Sequence, residues 1–273
     1  MQNFSASPGE LVASYWRNRQ LIVNLVKREV LGRYKGSILG IVWSLVTPIF
    51  MLLVYTFVFS VVFNARWGVS GNGSKTEFAL LLFAGLMVFN LFAECIGKAP
   101  GLILANANYV KKVIFPLEIL PWVSMGSALF HFSVSLGVWL LAFCVLFGIP
   151  HLQVLLLPLV LMPLVLFVMG LSWMLASLGV YLRDVGQIIG VVITMLMFLT
   201  PIFYPVSSLP PAYQTLFFFN PLTAPIEMVR DLIYWGRFPS MSLLGFSIMG
   251  ALALALLGFA WFQKTRKGFA DVL

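Results

Sequence analysis

Residues 119–182 run for 64 positions without a single Asp, Glu, Lys or Arg. A soluble fold cannot accommodate such a run, because much of any folded surface must face water. It is also too long for one bilayer crossing, which needs about 20 apolar residues. Gly148-Ile149-Pro150-His151 is its clearest break, so the run reads as two membrane spans, 119–147 and 152–182. Composition agrees, with 61% hydrophobic and only 10% charged residues and a mean hydropathy of +0.99. Soluble domains carry about 25% charged residues. A soluble enzyme and a nucleic-acid-binding protein are both excluded.

Four further apolar stretches complete the set: 38–63, 78–97, 186–204 and 241–262. The predicted fold is all-α and polytopic, with six transmembrane helices. Residues 1–37 form an N-terminal segment, 38–262 the membrane domain and 263–273 a tail. Residues 205–240 are apolar but hold six prolines, too many lost backbone bonds for a lipid-facing helix. They read as short re-entrant helices between spans five and six. Asn220-Pro221 fits an N-cap with Pro at the first helical position. Leu222, Ile226, Val229 and Ile233 then form one stripe, Glu227, Arg230 and Asp231 occupy the other side, and Gly236 ends the helix.

Basic residues orient the bundle. Thirteen of the 17 Lys and Arg fall on the side of the N-terminus and four on the other, a positive-inside asymmetry that places both termini in the cytoplasm. The first long apolar run lies behind six basic residues and is too long for a cleavable signal. Before it, residues 9–32 alternate Leu11, Tyr15, Ile22, Leu25 and Val26 with Arg17, Arg19, Lys27 and Arg28. That spacing predicts an amphipathic helix lying in the membrane interface, and a partner-binding helix would have the same pattern. Cys95 and Cys144 fall near opposite faces and are predicted to be free thiols.

The residues of a membrane enzyme are missing. There is no His-Glu-x-x-His and no Gly-x-x-x-x-Gly-Lys-[Ser/Thr], so neither an intramembrane zinc site nor an ATP-phosphate cradle is encoded. Of the two histidines, His151 sits in an external turn and His131 near the middle of span three. His131 reads either as a proton relay or, the favoured reading, as an interhelical hydrogen bond to a neighbouring Ser. Glu94 stands four residues before Lys98, the preferred order for a helix ion pair. No cofactor is expected in this chain, and its energy source is expected elsewhere.

Several segments, in order and over nearly the whole chain, resemble the permease subunit of type-2 ABC exporters, in the branch that exports O-antigen, capsule and teichoic acid. Lys27-Arg-Glu-Val-Leu-Gly-Arg-Tyr-Lys-Gly-Ser-Ile-Leu-Gly-Ile-Val-Trp-Ser-Leu-Val-Thr-Pro48 is similar to that family's entry into its first span. Tyr109-Val-Lys-Lys-Val-Ile-Phe-Pro-Leu-Glu-Ile-Leu-Pro121 is similar to its second cytoplasmic loop. Arg183-Asp184-Val185, Asn220-Pro221 and Phe269-Ala-Asp-Val272 fit the remaining signatures. Leu117 departs from relatives that carry a basic residue there. The resemblance implies a homodimer in the bacterial cytoplasmic membrane, bound to two separate ATP-binding subunits that hold ATP and Mg. It also implies a polysaccharide cargo on undecaprenyl diphosphate or another lipid carrier. A small-lipid or drug exporter and an ion-coupled secondary transporter are the alternatives.

Candidate residues follow. The loop 98–118 is the only cytoplasmic loop long enough to grip an ATPase. Leu102, Ile103 and Tyr109 are available to enter a partner groove and Lys111 and Lys112 to pair with its acids; an ordinary basic loop has the same composition. Trp43, Tyr55, Phe59 and Phe63 are candidate channel residues, because aromatic rings suit the C–H faces of sugars. Tyr55, Phe59 and Phe63 form one stripe and Trp43, Phe50 and Phe57 another, and one of the two faces lipid. Arg33 and Lys35 are candidates for docking the phosphates of a lipid carrier, with simple helix anchoring as the alternative. Gly36, Gly40 and Ser44 read as a small-residue ladder for close helix approach, either packing or a moving channel wall. Asp184 reads as the cap of span five, with Gln187 at the capping-box position.

Overall fold

A computed structural model describes residues 5–62, 67, 75–110 and 115–273, without the side chains of residues 60, 61, 75 and 218. All regular structure among the described residues is helical. Two short helices, α1 (Pro8–Arg17) and α2 (Arg19–Arg33), precede α3 (Trp43–Tyr55), which continues as a π-helix over Thr56–Val62. Then follow α4 (Lys75–Lys98), the single turn α5 (Ala107–Val110), α6 (Leu120–Phe147), α7 (Leu157–Tyr181) and α8 (Val185–Leu199). The chain ends with α9 (Pro211–Phe218), α10 (Thr223–Ile233), α11 (Met241–Thr265) and the short α12 (Phe269–Val272).

Among the described residues, five helical stretches are long and apolar enough to cross a bilayer: Gly40–Phe59, Thr76–Gly101, Leu117–Phe147, Leu152–Tyr181 and Met241–Val272. The fifth span expected from sequence, 186–204, is shorter than its apolar run. α8 has 15 residues, about 22 Å at 1.5 Å per residue, against a hydrocarbon core of about 30 Å. It stops at Thr200, with Pro201 next and Pro205 four residues later, because proline cannot supply the amide that continues a helix.

α4 is the centre of the bundle. Of its most apolar window 83% is buried, against 6% for the first span. α6, α7, α8, α10 and the π-helix pack around it. The Trp139 indole N–H donates to the Leu80 carbonyl at 2.9 Å, which locks α6 to α4. α7 and α11 form the tightest crossing. A Cβ on Gly170 would lie 2.6 Å from the Leu254 carbonyl oxygen, and one on Gly258 would fall on the Gly170 carbonyl. The two backbones touch because neither residue has a side chain.

The glycine ladder expected at span one is not formed. Gly36 and Gly40 have φ of +85° and +52° and no atom within 4 Å of a would-be Cβ. They form the turn that carries the chain from α2 into α3, where left-handed backbone favours glycine. Gly36→Ala should therefore cost about 1 kcal/mol through backbone strain alone, readable as a small fall in the thermal midpoint in detergent.

The region from the end of α8 to α10 shows two departures. Asn220 does not begin a helix with Pro221. Its Oδ1 accepts from the Leu222 N–H at 2.9 Å, while its amide donates to Leu199 O and Thr200 Oγ1 at 3.0 Å each. α10 starts at Thr223 and Asn220 ties the end of α8 to it. Arg230, placed on the polar side by periodicity, is only 2% exposed. Gly236 does end the segment, at φ +62°. Cys95 and Cys144 are both free thiols.

Candidate functional site

The N-terminal helices lie across one end of the bundle and connect its functional candidates. Ile22 and Leu25 on α2 pack against Ile119 and Val123 at the start of α6. The polar side of α2 then reaches the 98–118 loop. The Arg28 Nη2 donates to the Tyr109 hydroxyl at 2.9 Å, and Lys98 Nζ donates to Glu29 Oε1 at 2.8 Å. Between α2, the loop and α6 lies a cleft of about 640 Å³, walled by Leu25, Arg28, Lys98, Leu102, Ala105 and Val123.

Behind this cleft Glu94 collects three partners. Its Oε1 accepts from Arg33 Nη1 at 2.8 Å and from Lys98 Nζ at 2.9 Å, and its Oε2 lies 2.9 Å from His131 Nδ1. A carboxylate accepts only, so Nδ1 carries the proton, and Nε2 on the other side of the ring shares a hydrogen bond with the Tyr34 hydroxyl at 3.2 Å. The Glu94–Lys98 pair anticipated from spacing is present. His131, however, bonds a carboxylate and a tyrosine rather than a serine. Along its own helix it is central, the fifteenth residue of Leu117–Phe147, and it meets Glu94 one turn from the end of α4.

A second node joins both ends of the chain to the loop. The Arg266 guanidinium donates to Glu118 Oε2 at 2.5 Å and to the Phe115 carbonyl at 3.0 Å. Ser14 Oγ donates to Glu118 Oε1 at 3.0 Å, and the Trp173 indole N–H donates to the Glu118 carbonyl. Glu118 and Arg266 are nearly dehydrated, so the ion pair acts at reduced dielectric and its geometry is tightly held. Phe269 is fully buried against Phe262 and Tyr181, which gives the C-terminal signature a packing role.

The loop residues divide. Ile103 is fully buried in the chain's own core, so its expected availability to a partner is corrected. The loop folds back in short 3-10 turns rather than one amphipathic helix. Leu102 is half-buried in the cleft wall, and Tyr109 stacks on Phe115 with centroids 4.2 Å apart. Gly101, Ala105 and Asn108 face outward. Lys111 and Lys112 lie outside the described residues, as does Phe63.

Among the aromatic candidates, Phe59 sits between Phe78 and Phe203, each 5.7 Å away, and Tyr55 packs against the same core. Trp43, Phe50 and Phe57 remain exposed at 42%, 60% and 60%. Arg33 is half-exposed and ion-paired, and Lys35 is exposed. Asp184 stands at the N-cap of α8, but its side chain makes no cap hydrogen bond. Sequence reading missed Glu118–Arg266 and the Arg230 anchor. A charge within an otherwise apolar stretch was the available signal for both.

The arrangement has a bundle of long apolar helices, with two polar nodes and the partly exposed 98–118 loop gathered at one end. It is that of a multi-pass membrane permease. Residues 20–234 match the family model described as ABC-2 type transporter, and the chain belongs to that family. It is similar to the O-antigen export system permease protein RfbA of Myxococcus xanthus, 28% identical over 96% of this chain and 98% of that protein. The corresponding RfbA protein of Klebsiella pneumoniae is 27% identical over 93% and 95%. The polysialic acid transport protein KpsM of Escherichia coli is 22% identical over 88% and 91%.

Proposed function

We propose that this chain is the permease subunit of an ATP-driven exporter that carries a lipid-linked, O-antigen-like polysaccharide across the bacterial inner membrane. The observation that carries the reading is end-to-end similarity to O-antigen export permeases. The chain itself is not an enzyme. Two copies form the transport path, and two separate subunits bind ATP and Mg and hydrolyse the nucleotide. The alternatives of a small-lipid exporter or an ion-coupled transporter receive no support from relatives of this length coverage.

Six crossings remain the preferred topology. Ser14 near the N-terminus and Arg266 near the C-terminus both bond Glu118, which supports placing the two ends on one side. That requires an even number of crossings, so α8, extended by the non-helical residues 200–204, counts as the fifth of six. α9 and α10 then re-enter from outside. Both termini, α1, α2 and the loop are cytoplasmic by the positive-inside asymmetry, with α1 and α2 in the interface. Trp43, on the exposed stripe, is the preferred channel residue over the inward-packed Tyr55 and Phe59. Arg33 and Lys35 are proposed to meet the carrier's phosphates.

The coupling surface is proposed at Leu102, Ala105 and Tyr109, with Lys111 and Lys112, which follow in sequence, to pair with the partner's acids. Replacing Leu102 and Ala105 together by Asp is expected to abolish co-purification of the ATPase subunits and stop export, while the permease inserts and melts normally. Retention of a coupled, exporting complex would remove the loop from the interface. The reading as a whole is tested by deleting the gene: lipid-linked polysaccharide should accumulate on the cytoplasmic face. Normal surface polysaccharide in the deletion strain would refute it.

A further inference from the structure

Arg33 is held in a way that helix anchoring does not require. Its guanidinium is engaged at Nη1 by Glu94, while its side chain stays 53% exposed. Glu94 itself is only 15% exposed and already has Lys98 and the His131 N–H as partners. An exposed pair of this kind contributes little to stability, yet it fixes where one corner of the guanidinium sits. Among the described residues no bond is made by its Nε or Nη2. Those N–H groups form the fork that matches two oxygens of a phosphate.

The surroundings favour an anion. Residues 27–35 carry Lys27, Arg28, Arg33 and Lys35 against the single carboxylate of Glu29, and Lys98 bonds both Glu29 and Glu94. The chain turns directly beyond Arg33 through Gly36 at φ +85°, and Ile38 is fully exposed, so the fork sits where the chain enters its first span. Tyr34, next along, is fastened to the far side of His131. Both residues just before the turn are thereby tied to the same carboxylate, Arg33 directly and Tyr34 through His131.

We propose that Glu94, clamped by His131 and Lys98, is a positioning residue that presents Arg33 as a phosphate-binding fork for a lipid phosphate or diphosphate at headgroup depth. This rests on the lipid-linked cargo proposed above. The fork would engage the carrier's diphosphate through Nε and Nη2, while Nη1 stays on Glu94. A carboxylate this close lowers the local positive potential, so its contribution is geometric and opposes simple electrostatics. That opposition makes the proposal testable.

Binding of undecaprenyl diphosphate to the purified full chain in detergent would be titrated by native mass spectrometry, with phosphatidylglycerol as the second probe. Arg33→Lys keeps the charge and loses the fork, and should weaken diphosphate binding roughly tenfold, in the range of one charge-assisted hydrogen bond. Glu94→Gln makes the site more positive, yet should weaken binding to a similar extent. The double variant should bind no worse than Arg33→Lys alone, because Glu94 acts through Arg33. Tighter binding by Glu94→Gln, or losses that multiply in the double variant, would overturn the positioning role. Should Glu94→Gln fail to fold, Glu94→Asp, which withdraws the carboxylate by one methylene, is expected to show the same coupling to Arg33→Lys. Equal wild-type affinity for both probes would assign the fork to bilayer headgroups. If the wild type binds phosphatidylglycerol but not the diphosphate, with the coupling intact, the carrier reading fails while the positioning role stands. Binding of neither probe overturns the fork.

Discussion

Arg230→Met is expected to destabilise the permease by about 3–5 kcal/mol, the cost of removing one partner from a buried charged network. Arg230 is 2% exposed and donates from all three nitrogens. Nε reaches the Leu81 carbonyl at 2.9 Å, Nη1 the Pro201 carbonyl at 2.5 Å and Glu227 at 3.0 Å, and Nη2 the Ile202 carbonyl at 2.8 Å. Trp67 covers it, with the guanidinium 4.4 Å from the ring centroid. Pro201 and Ile202 lie just beyond the end of α8, where carbonyls have no helical partner. Arg230 supplies those partners, and Met would leave the carbonyls bare in an apolar setting. Burial lowers the guanidinium pKa to about 10, so it remains a cation throughout the physiological range. The check is the thermal midpoint and monodispersity of the variant in detergent. Gly85→Ala should reproduce part of the loss, since its Cβ would lie 2.5 Å from Arg230 Nη2. An unchanged midpoint in both would mean that the anchor is dispensable.

The second large effect is expected at the α7–α11 crossing. Gly258→Leu places a side chain where the Gly170 carbonyl now sits. The clash is with backbone, so no rotamer change relieves it and the helices must separate. Ordinary overpacking costs about 1–3 kcal/mol, and here the loss should reach the upper end of that range or exceed it. Arg266 follows α11 directly, so separation should also loosen the Glu118 node. The expected result is a lowered midpoint together with faster proteolysis of the C-terminal tail, while Gly250→Leu, with nothing within 4 Å, should behave as wild type. Equal behaviour of the two variants would show that the close approach is not required.

The legible parts of this protein were those set by the solvent. Five of the six expected spans appear as long apolar helices because hydrocarbon demands about 20 apolar residues with every backbone group paired. That demand is written locally, in runs without charge. The shortened α8 was harder to read, since an apolar run continues through Thr200–Tyr204 although its helix does not. Ile103 was misplaced for a related reason: apolar character on a loop says that a side chain seeks cover, not whether its own core or a partner supplies it.

The sequence by itself determined the class of the chain: an all-helical membrane protein with a basic face, free thiols and the marks of a type-2 exporter permease. The tertiary structure alone decided the polar nodes. Arg230 lies 149 residues from Leu81, Arg266 lies 148 from Glu118, and His131 lies 37 from Glu94. Each is a charged or polar group whose partner is chosen by how helices pack, and no local spacing encodes that choice. In a bilayer an apolar pattern specifies which segments are buried from water, but lipid and protein neighbours are equally apolar. Which face meets which helix is decided by the glycine contacts of α7 and α11 and by hydrogen bonds that only the assembled bundle can complete.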